Sequence, residues 1–456
     1  MNLLLRIVIA ASLFGVCISP LMAQTENNQT KIISLYEAIK VGLSNSYSVE
    51  IQNEKTEQAL SLQRKALALL LPQLTAQGTY TRYEKEVEMQ FPELESLEII
   101  NVPPYIKFNK YQTYVIQKEN SFGALVNLSI PLINIPSYLT YKNAKDSVRI
   151  SELSKENQKA ELIYNISQTY LNTVSIKKSV AITRNSIELA TSHLKTVETK
   201  LKNGDANELS LIKARLDMER AQNDYEKMQK AYKIAIESLA VLLNTEKNFD
   251  VEDSPKINTT IPQDTEELFR KALSNRYDIK ILSENNKIIE RDISITKSKF
   301  LPTLNMNATY RYSDMTSFLE DETQWFVIFS LNLSLYDGGI RYAEMREKKS
   351  KQRENNLLMK QLTESVKSQI NQSLEEIKTC KNNISSLEKQ LELAKKSYEL
   401  SVKSYSVGVI SQSDLIDSEI AVTNTELLLE KEKNDCLIQY IKLLKNTGEI
   451  NSFEGR

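Results

Sequence analysis

Two carboxylates spaced three residues apart, Asp414 and Asp417, follow the stretch Tyr405, Ser406, Val407, Gly408. At that spacing they share one face of a helix, where paired negative charge attracts cations. Asp414 also has a competing job. Ser411, three residues before it, makes the two a capping box at a helix start, where a carboxylate is favoured by the macrodipole. Nothing nearby turns this charge into catalysis. The sequence has no HExxH, GxSxG or Gly-rich phosphate loop, and no acid, base, nucleophile and metal-ligand set converges, so neither an enzyme nor a cofactor is expected. The single histidine, His193, has no cysteine or second histidine beside it and reads as a solvated helix residue rather than a metal ligand.

The elements that carry these residues are long. The chain has 456 residues, a net charge of -1, and only ten glycines and ten prolines, clustered at a few places. The near-neutral charge argues against a polyanionic partner, and the clustering leaves long helix-compatible runs between breakers. One runs from Gly339 to Gly408 and a second from Gly408 to Gly448, so Gly408 reads as the tip of a helical hairpin. Another runs from about Ser137 to Asn203, a rod of roughly 100 Å at 1.5 Å per residue. Along it Val180, Ile187, Leu194 and Leu201 recur every seventh residue, with Ile176, Ala190 and Val197 in the companion seam of a coiled coil. Gly204 turns that rod, and Asp205 or Asn207 caps a return helix to about Asn244.

Between the helices the period changes to two. Leu74, Ala76, Gly78 and Tyr80 alternate with Thr75, Gln77, Thr79 and Thr81, and Phe122, Ala124, Val126, Leu128 and Ile130 alternate with Gly123, Asn127 and Ser129. Residues 84–119 between them, charged and carrying Pro92, Pro103 and Pro104, read as a long exposed loop. The second half repeats the first in register. Leu43, Ser44, Asn45 and Tyr47 return as Leu273, Ser274, Asn275 and Tyr277, and Leu71, Pro72 and Leu74 return as Leu301, Pro302 and Leu304. A third strand alternates Leu304, Met306, Ala308, Tyr310 and Tyr312 with Asn305, Asn307, Thr309 and Arg311. A fourth has an apolar face running from Trp325 to Leu335. The expected organisation is a signal peptide over 1–23, a first repeat over 24–244, a linker over 245–264, a second repeat over 265–448 and a short tail over 449–456. Arg6, the apolar run Ile7 to Ile18 and a small residue at Ala23 carry the signal-peptide reading. Val16 makes a poor approach to a lipid-bearing Cys17.

No later stretch is apolar for long enough to form a membrane-spanning helix, so insertion has to use strands. Tyr80, Phe122, Tyr310 and Trp325 at the strand ends suit a membrane interface. Four strands cannot close a barrel without a lipid-exposed edge, and closure needs about eight, so several chains must contribute. The arrangement resembles the TolC family of outer-membrane efflux channels over essentially the whole mature chain. The repeat, the Leu-Pro-x-Leu entries and the tip Tyr405 to Gly408 with Asp414, Ile416 and Asp417 carry that resemblance. It implies a mainly α fold with a small β part. Three copies would form a 12-stranded β-barrel in the outer membrane of a Gram-negative bacterium, continued by an α-helical barrel through the periplasm. It implies a passive exit duct for a tripartite efflux or type I secretion system, with a periplasmic adaptor and an inner-membrane pump as partners. The alternative is a periplasmic coiled-coil adaptor or scaffold without membrane insertion, which leaves the four strands unexplained.

The resemblance also assigns residues. It puts Asp414, Asp417 and Tyr405 at the periplasmic constriction, and Gly204, Gly408, Val407, Leu211 and Leu415 at the hairpin tips that meet the adaptor. The sequence departs from the family where the closed state is latched. Ile410 stands in place of an arginine and Ser210 in place of an acidic partner, so the expected latch is apolar contacts or Lys213 with Glu208. Cys380 and Cys436 lie in the seams, each 28 residues from Gly408 and so at similar height. A disulfide between them is compatible with an exported compartment, but two reduced core thiols weigh more, because equal height does not fix the Cβ directions.

Overall fold

The structure is a computed structural model that describes residues 31–101, 104–253, 264–315 and 322–453. The expected signal peptide with Cys17, and the middle of the expected linker, lie outside the described residues. Each half opens with two helices rather than the single one expected. These are α1 (Leu35–Asn45) and α2 (Tyr47–Ala68) in the first half and α5 (Thr265–Asn275) and α6 (Tyr277–Ser298) in the second. The breaks fall at Ser46 and Arg276, both in extended conformation between the helices. Pairs of rods follow the strands. α3 (Ile135–Lys202) and α4 (Glu208–Leu243) form one hairpin, α7 (Ile340–Ser406) and α8 (Gln412–Asn446) the other.

Four strands make one antiparallel sheet: β2 (Gln73–Arg82), β7 (Asn120–Ile133), β9 (Thr303–Ser313) and β10 (Thr323–Asn332), in the order β10-β9-β7-β2. β10 stops at Asn332, short of the expected Leu335. The register aligns the apolar positions across the sheet. Leu74 lies opposite Leu128, Leu128 opposite Ala308 and Ala308 opposite Val327; likewise Ala76, Val126, Tyr310 and Trp325 form a row. The opposite face carries Thr75, Asn127 and Thr309 in register, with Thr309 Oγ1 donating to Asn127 Oδ1 at 3.0 Å. One face is therefore apolar and the other mixed, polar on β2 and β9 but carrying Leu125 of β7 and Phe326 and Ile328 of β10, and the aromatic pairs Tyr80 with Phe122 and Tyr310 with Trp325 stand near one end of the apolar face. Among the described residues neither β2 nor β10 has a partner on its outer edge.

Residues 84–119 are not the loop expected. They form two antiparallel ribbons, β3 (Val87–Pro92) with β6 (Tyr111–Gln117) and β4 (Leu97–Asn101) with β5 (Pro104–Phe108). Pro92 and Pro104 sit at strand ends, where a missing N–H costs least. Near the middle of the rods, β1 (Lys31–Ile33) pairs in parallel with β8 (Phe249–Val251), a contact the polar composition of the linker concealed. It closes the larger core, in which Leu35, Ala38, Ile166, Leu239, Leu243 and Ile441 pack together. A second core joins Leu268 and Ala272 of α5 to Val366 and Ile370 of α7 and to Leu443 of α8. No described helix is long and apolar enough to cross a membrane.

Candidate functional site at the hairpin tips

The two tips are built alike. Gly204 and Gly408 sit at φ +82° and +77°. The Gly204 N–H donates to the Leu201 carbonyl at 3.1 Å and the Asp205 N–H to the Lys200 carbonyl at 2.8 Å. The Gly408 and Val409 N–H groups donate likewise to Tyr405 at 3.2 Å and Ser404 at 2.9 Å. This is the paired bonding that closes a helix on a left-handed residue. A Cβ on either glycine would meet nothing within 4 Å, so it is backbone conformation, not space, that calls for glycine.

The return helices start with caps. Asn207 rather than Asp205 caps α4, its Oδ1 accepting from the Ser210 N–H at 2.9 Å. On α8 the Ser411 N–H donates to Asp414 Oδ2 at 3.0 Å and the Asp414 N–H to Ser411 Oγ at 3.2 Å, a complete capping box. Hydrogen bonds from the Ser411 side chain and backbone hold the Asp414 carboxyl below its usual range. Asp414 and Asp417 are both exposed, whereas Gln412, Leu415 and Glu419 turn inward. Capping and exposure thus coexist at Asp414.

The apolar tip residues divide. Val407 is 73% exposed, Leu211 is half-buried and Leu415 is only 6% exposed. Leu415 is packed inside the seam, which corrects its expected place on an adaptor-facing surface. Val409, Leu209 and Ile212 are exposed instead. Sequence reading passed over them, although apolar residues in a tip turn, as Val409, or off the heptad seam at the start of a helix, as Leu209 and Ile212, are a usable signal.

Contacts between the two hairpins show how this chain holds its tips together. Lys213 Nζ donates to Ser413 Oγ at 3.1 Å, and Gln412 Nε2 donates to the Ser210 carbonyl at 3.0 Å. Glu208, expected beside Lys213, has no ion pair or side-chain hydrogen bond among the described residues. Ser210 takes part through its backbone, so no acidic side chain is needed there. Tyr405 turns to α3, with its ring edge-on to His193 at 5.6 Å between centroids and the Lys200 ammonium 4.3 Å from its centroid. His193 is therefore not a solvated residue. It is half-buried, both ring nitrogens lack a hydrogen-bond partner among the described residues, and burial followed by the Lys200 charge pulls its pKa down, so it packs as a neutral ring.

Higher on the second hairpin, Cys380 and Cys436 form a disulfide with their Cα atoms 5.5 Å apart. This departs from the two free thiols that the sequence favours. Equal height left the Cβ directions open, and in the structure they converge.

The chain thus combines two amphipathic helical hairpins with one four-stranded sheet whose outer edges are open among the described residues. The family model described as outer membrane efflux protein matches residues 42–245 and 268–449. The chain belongs to that family. Its place is the outer membrane, with the helical part extending into the periplasm, and its role is that of an exit duct. Among solved structures, a membrane protein from Pseudomonas aeruginosa superposes with a TM-score of 0.75 at 16% identity, over 92% of this chain and 95% of that one. The Campylobacter jejuni CmeC outer membrane channel gives 0.72 at 18% identity, over 91% and 86%. The outer membrane protein VceC of Vibrio cholerae gives 0.71 at 14% identity, over 91% and 96%. No curated protein matches the chain in sequence.

Proposed function

We propose that three copies of this chain close into one duct, in which β10 of each copy pairs with β2 of the next. The observation that carries this reading is the pair of open edges on a sheet with one continuous apolar face. In hydrocarbon every unpaired N–H and C=O costs several kcal/mol, so the edges must be joined. Three four-stranded sheets give twelve strands, enough for closure. The same symmetry gathers twelve rods into a tunnel and brings three copies of Asp414 and Asp417 around its mouth. There they favour cations over anions.

An adaptor and an inner-membrane pump engage the tips, for which the exposed Val407, Val409 and Ile212 offer an apolar surface. The duct is passive, and transport is driven by the pump. The test is conductance in planar bilayers. Asp414→Asn with Asp417→Asn is expected to lower cation selectivity several-fold, and unchanged selectivity would exclude these carboxylates from the constriction. Heat-modifiable trimers in outer-membrane fractions are the expected state. A monomer in the soluble periplasmic fraction would overturn the assembly.

A further inference from the structure

Close to the tips the rods carry apolar residues that neither hairpin uses. Across one copy the rods stand in the order α4, α3, α8, α7, because α3 packs on α4, α8 on α3 and α7 on α8. α4 and α7 are therefore the outer rods. On α7 the inner side is the heptad line Leu391, Tyr398 and Tyr405, all half-buried. Two residues after each of these come Leu393, Leu400 and Val407. Two residues are about 200° of helix turn, so these three stand on the far side, away from the copy's own helices. α4 is arranged in the same way. Its inner side carries Leu211, Ala214 and Met218, and two residues before each stand Leu209, Ile212 and Leu216. All six outward residues are between 50% and 73% exposed. Single exposed leucines are ordinary, but an apolar stripe at heptad spacing is the pattern of a helix that has a partner.

The two stripes match in height. Counted from Gly408 and from Gly204, Leu400 and Ile212 are both eight residues up their rods, and Leu393 and Leu216 are fifteen and twelve. Both stripes also stop at a similar level, since one heptad farther up the outward positions are Ser386 on α7 and Asn223 on α4. Charge matches as well. Lys403 and Lys396 flank the α7 stripe, five and twelve residues up, and Glu208 and Glu219 flank the α4 stripe, four and fifteen up. All four are exposed, and none has an ion pair among the described residues. Lysine beside one apolar seam and glutamate beside the other is the charge pattern that selects a coiled-coil partner.

We propose that Leu393, Leu400 and Val407 of α7 pack on Leu209, Ile212 and Leu216 of α4 in the next copy, and that this apolar zipper holds the entrance shut. The strand order leads to the same pairing. β10 runs into α7 and carries the edge that meets β2 of the next copy, so α7 faces the first half of that copy, whose outer rod is α4. The zipper covers roughly 20 Å of rod above the mouth. It gives Glu208, unpaired within its own copy, a partner in Lys403 of the next. Within one copy the tips are held by the polar contacts of Lys213 and Gln412; between copies the hold is apolar. Val407 and Ile212 then serve the next copy while the entrance is shut and the adaptor once it has parted.

The inference rests on the trimer reading, and its test separates the two. Leu400→Cys with Ile212→Cys in the full chain, treated in outer-membrane fractions with a short bismaleimide, is expected to give covalent dimers and trimers on denaturing gels. Each single variant is expected to stay monomeric there, because the native Cys380 and Cys436 are bonded to each other and do not react. Leu393→Ser with Leu400→Ser leaves the seams within the copy intact and is expected to raise the conductance of trimers in planar bilayers several-fold. Trimers whose double cysteine variant stays unlinked, or links only within one chain, would overturn the zipper and leave both stripes to the adaptor. Unchanged conductance of the serine variant would overturn the zipper as the latch. A wild-type chain that is monomeric before any treatment would overturn the trimer reading, and the zipper with it.

Discussion

The two halves of the chain repeat one order of elements and hold it together by different chemistry. In the first half the parallel pair β1–β8 closes the core, and Tyr170 lies fully buried beneath it. Its hydroxyl donates to the Ile33 carbonyl at 2.8 Å and accepts from the Glu252 N–H at 3.1 Å. The second half has no strand pair at this level among the described residues. Its helix break is held by Arg276, whose guanidinium reaches Asp278 at 2.7 Å, Gln369 at 3.0 Å and the Asn446 carbonyl at 3.2 Å. Its hairpin is then pinned by the disulfide. A duplicated backbone constrains where packing must occur, but it leaves open whether apolar closure, charge or a covalent bond provides the hold.

The largest test of this contrast is to remove the covalent bond. Cys380 and Cys436 are 56 residues apart in sequence, and on the chain-entropy account closing such a loop stabilises by about 4 kcal/mol. Cys380→Ser with Cys436→Ser, or reduction of the wild type, is expected to lower the thermal midpoint. Hydrogen exchange is expected to accelerate in α7 and α8 and to change little in α3 and α4. Equal acceleration in both hairpins would show that the halves are held alike.

A second test exchanges the residues that end the return helices. α4 stops on Asn244 at φ 49° and α8 on Gly448 at φ 75°. A Cβ on Gly448 would lie 2.8 Å from the Arg276 backbone nitrogen and 2.9 Å from the Asn275 carbonyl carbon. Gly448→Asn therefore forces backbone apart and is expected to cost about 2 kcal/mol. Asn244→Gly is expected to stay within about 0.5 kcal/mol, since asparagine tolerates this conformation and glycine adopts it freely. Chemical denaturation of the two variants compares them directly.

Tyr170 probes the first half alone. Tyr170→Phe leaves the Ile33 carbonyl and the Glu252 N–H without that partner and is expected to cost about 1–2 kcal/mol. Burial also pushes its phenol up to about 12. An unfolded tyrosine ionises near 10, so the wild type loses stability as pH rises from ~10 toward ~12, and the phenylalanine variant lacks this tyrosine's share of the loss. A pH series of denaturation midpoints reads both effects.

Most of this architecture was legible in the sequence because it depends on period and punctuation. Breaker-free runs gave the rods, alternation gave the four strands, and glycines gave the tips. What escaped depended on partners distant in the chain. The β1–β8 pair joins segments more than two hundred residues apart, and three residues of alternation in a polar linker carry too little pattern to announce it. Residues 84–119 were masked by their charge and prolines, although Val87, Met89 and Phe91 alternate. At the tips Asp414 could be placed on its cap from Ser411 alone. The burial of Leu415 and the pairing of Tyr405 with His193 depend on how one hairpin lies against the other. No single-helix pattern encodes that.

The tips provide the smallest effect and the most direct check on the repeat itself. Gly204 and Gly408 share one conformation and one bonding pattern, and neither would bring a new Cβ within 4 Å of another group. Alanine at either should then cost only the left-handed backbone, about 1 kcal/mol, and the two costs should agree within a few tenths. Lys200, His193 and Tyr405 couple the two hairpins at this level, which offers a route by which Gly408→Ala could disturb more than its turn. But Tyr405 lies on α7 itself, three residues before the glycine, and the helix up to Ser406 is held by its own bonds. Denaturation of the two single variants and the double variant decides the matter. Equal and additive losses mean the tips are independent turns. A larger loss at Gly408 would mean that the second tip is tied into the inter-hairpin contacts, and that the asymmetry seen at the middle of the rods extends to the entrance.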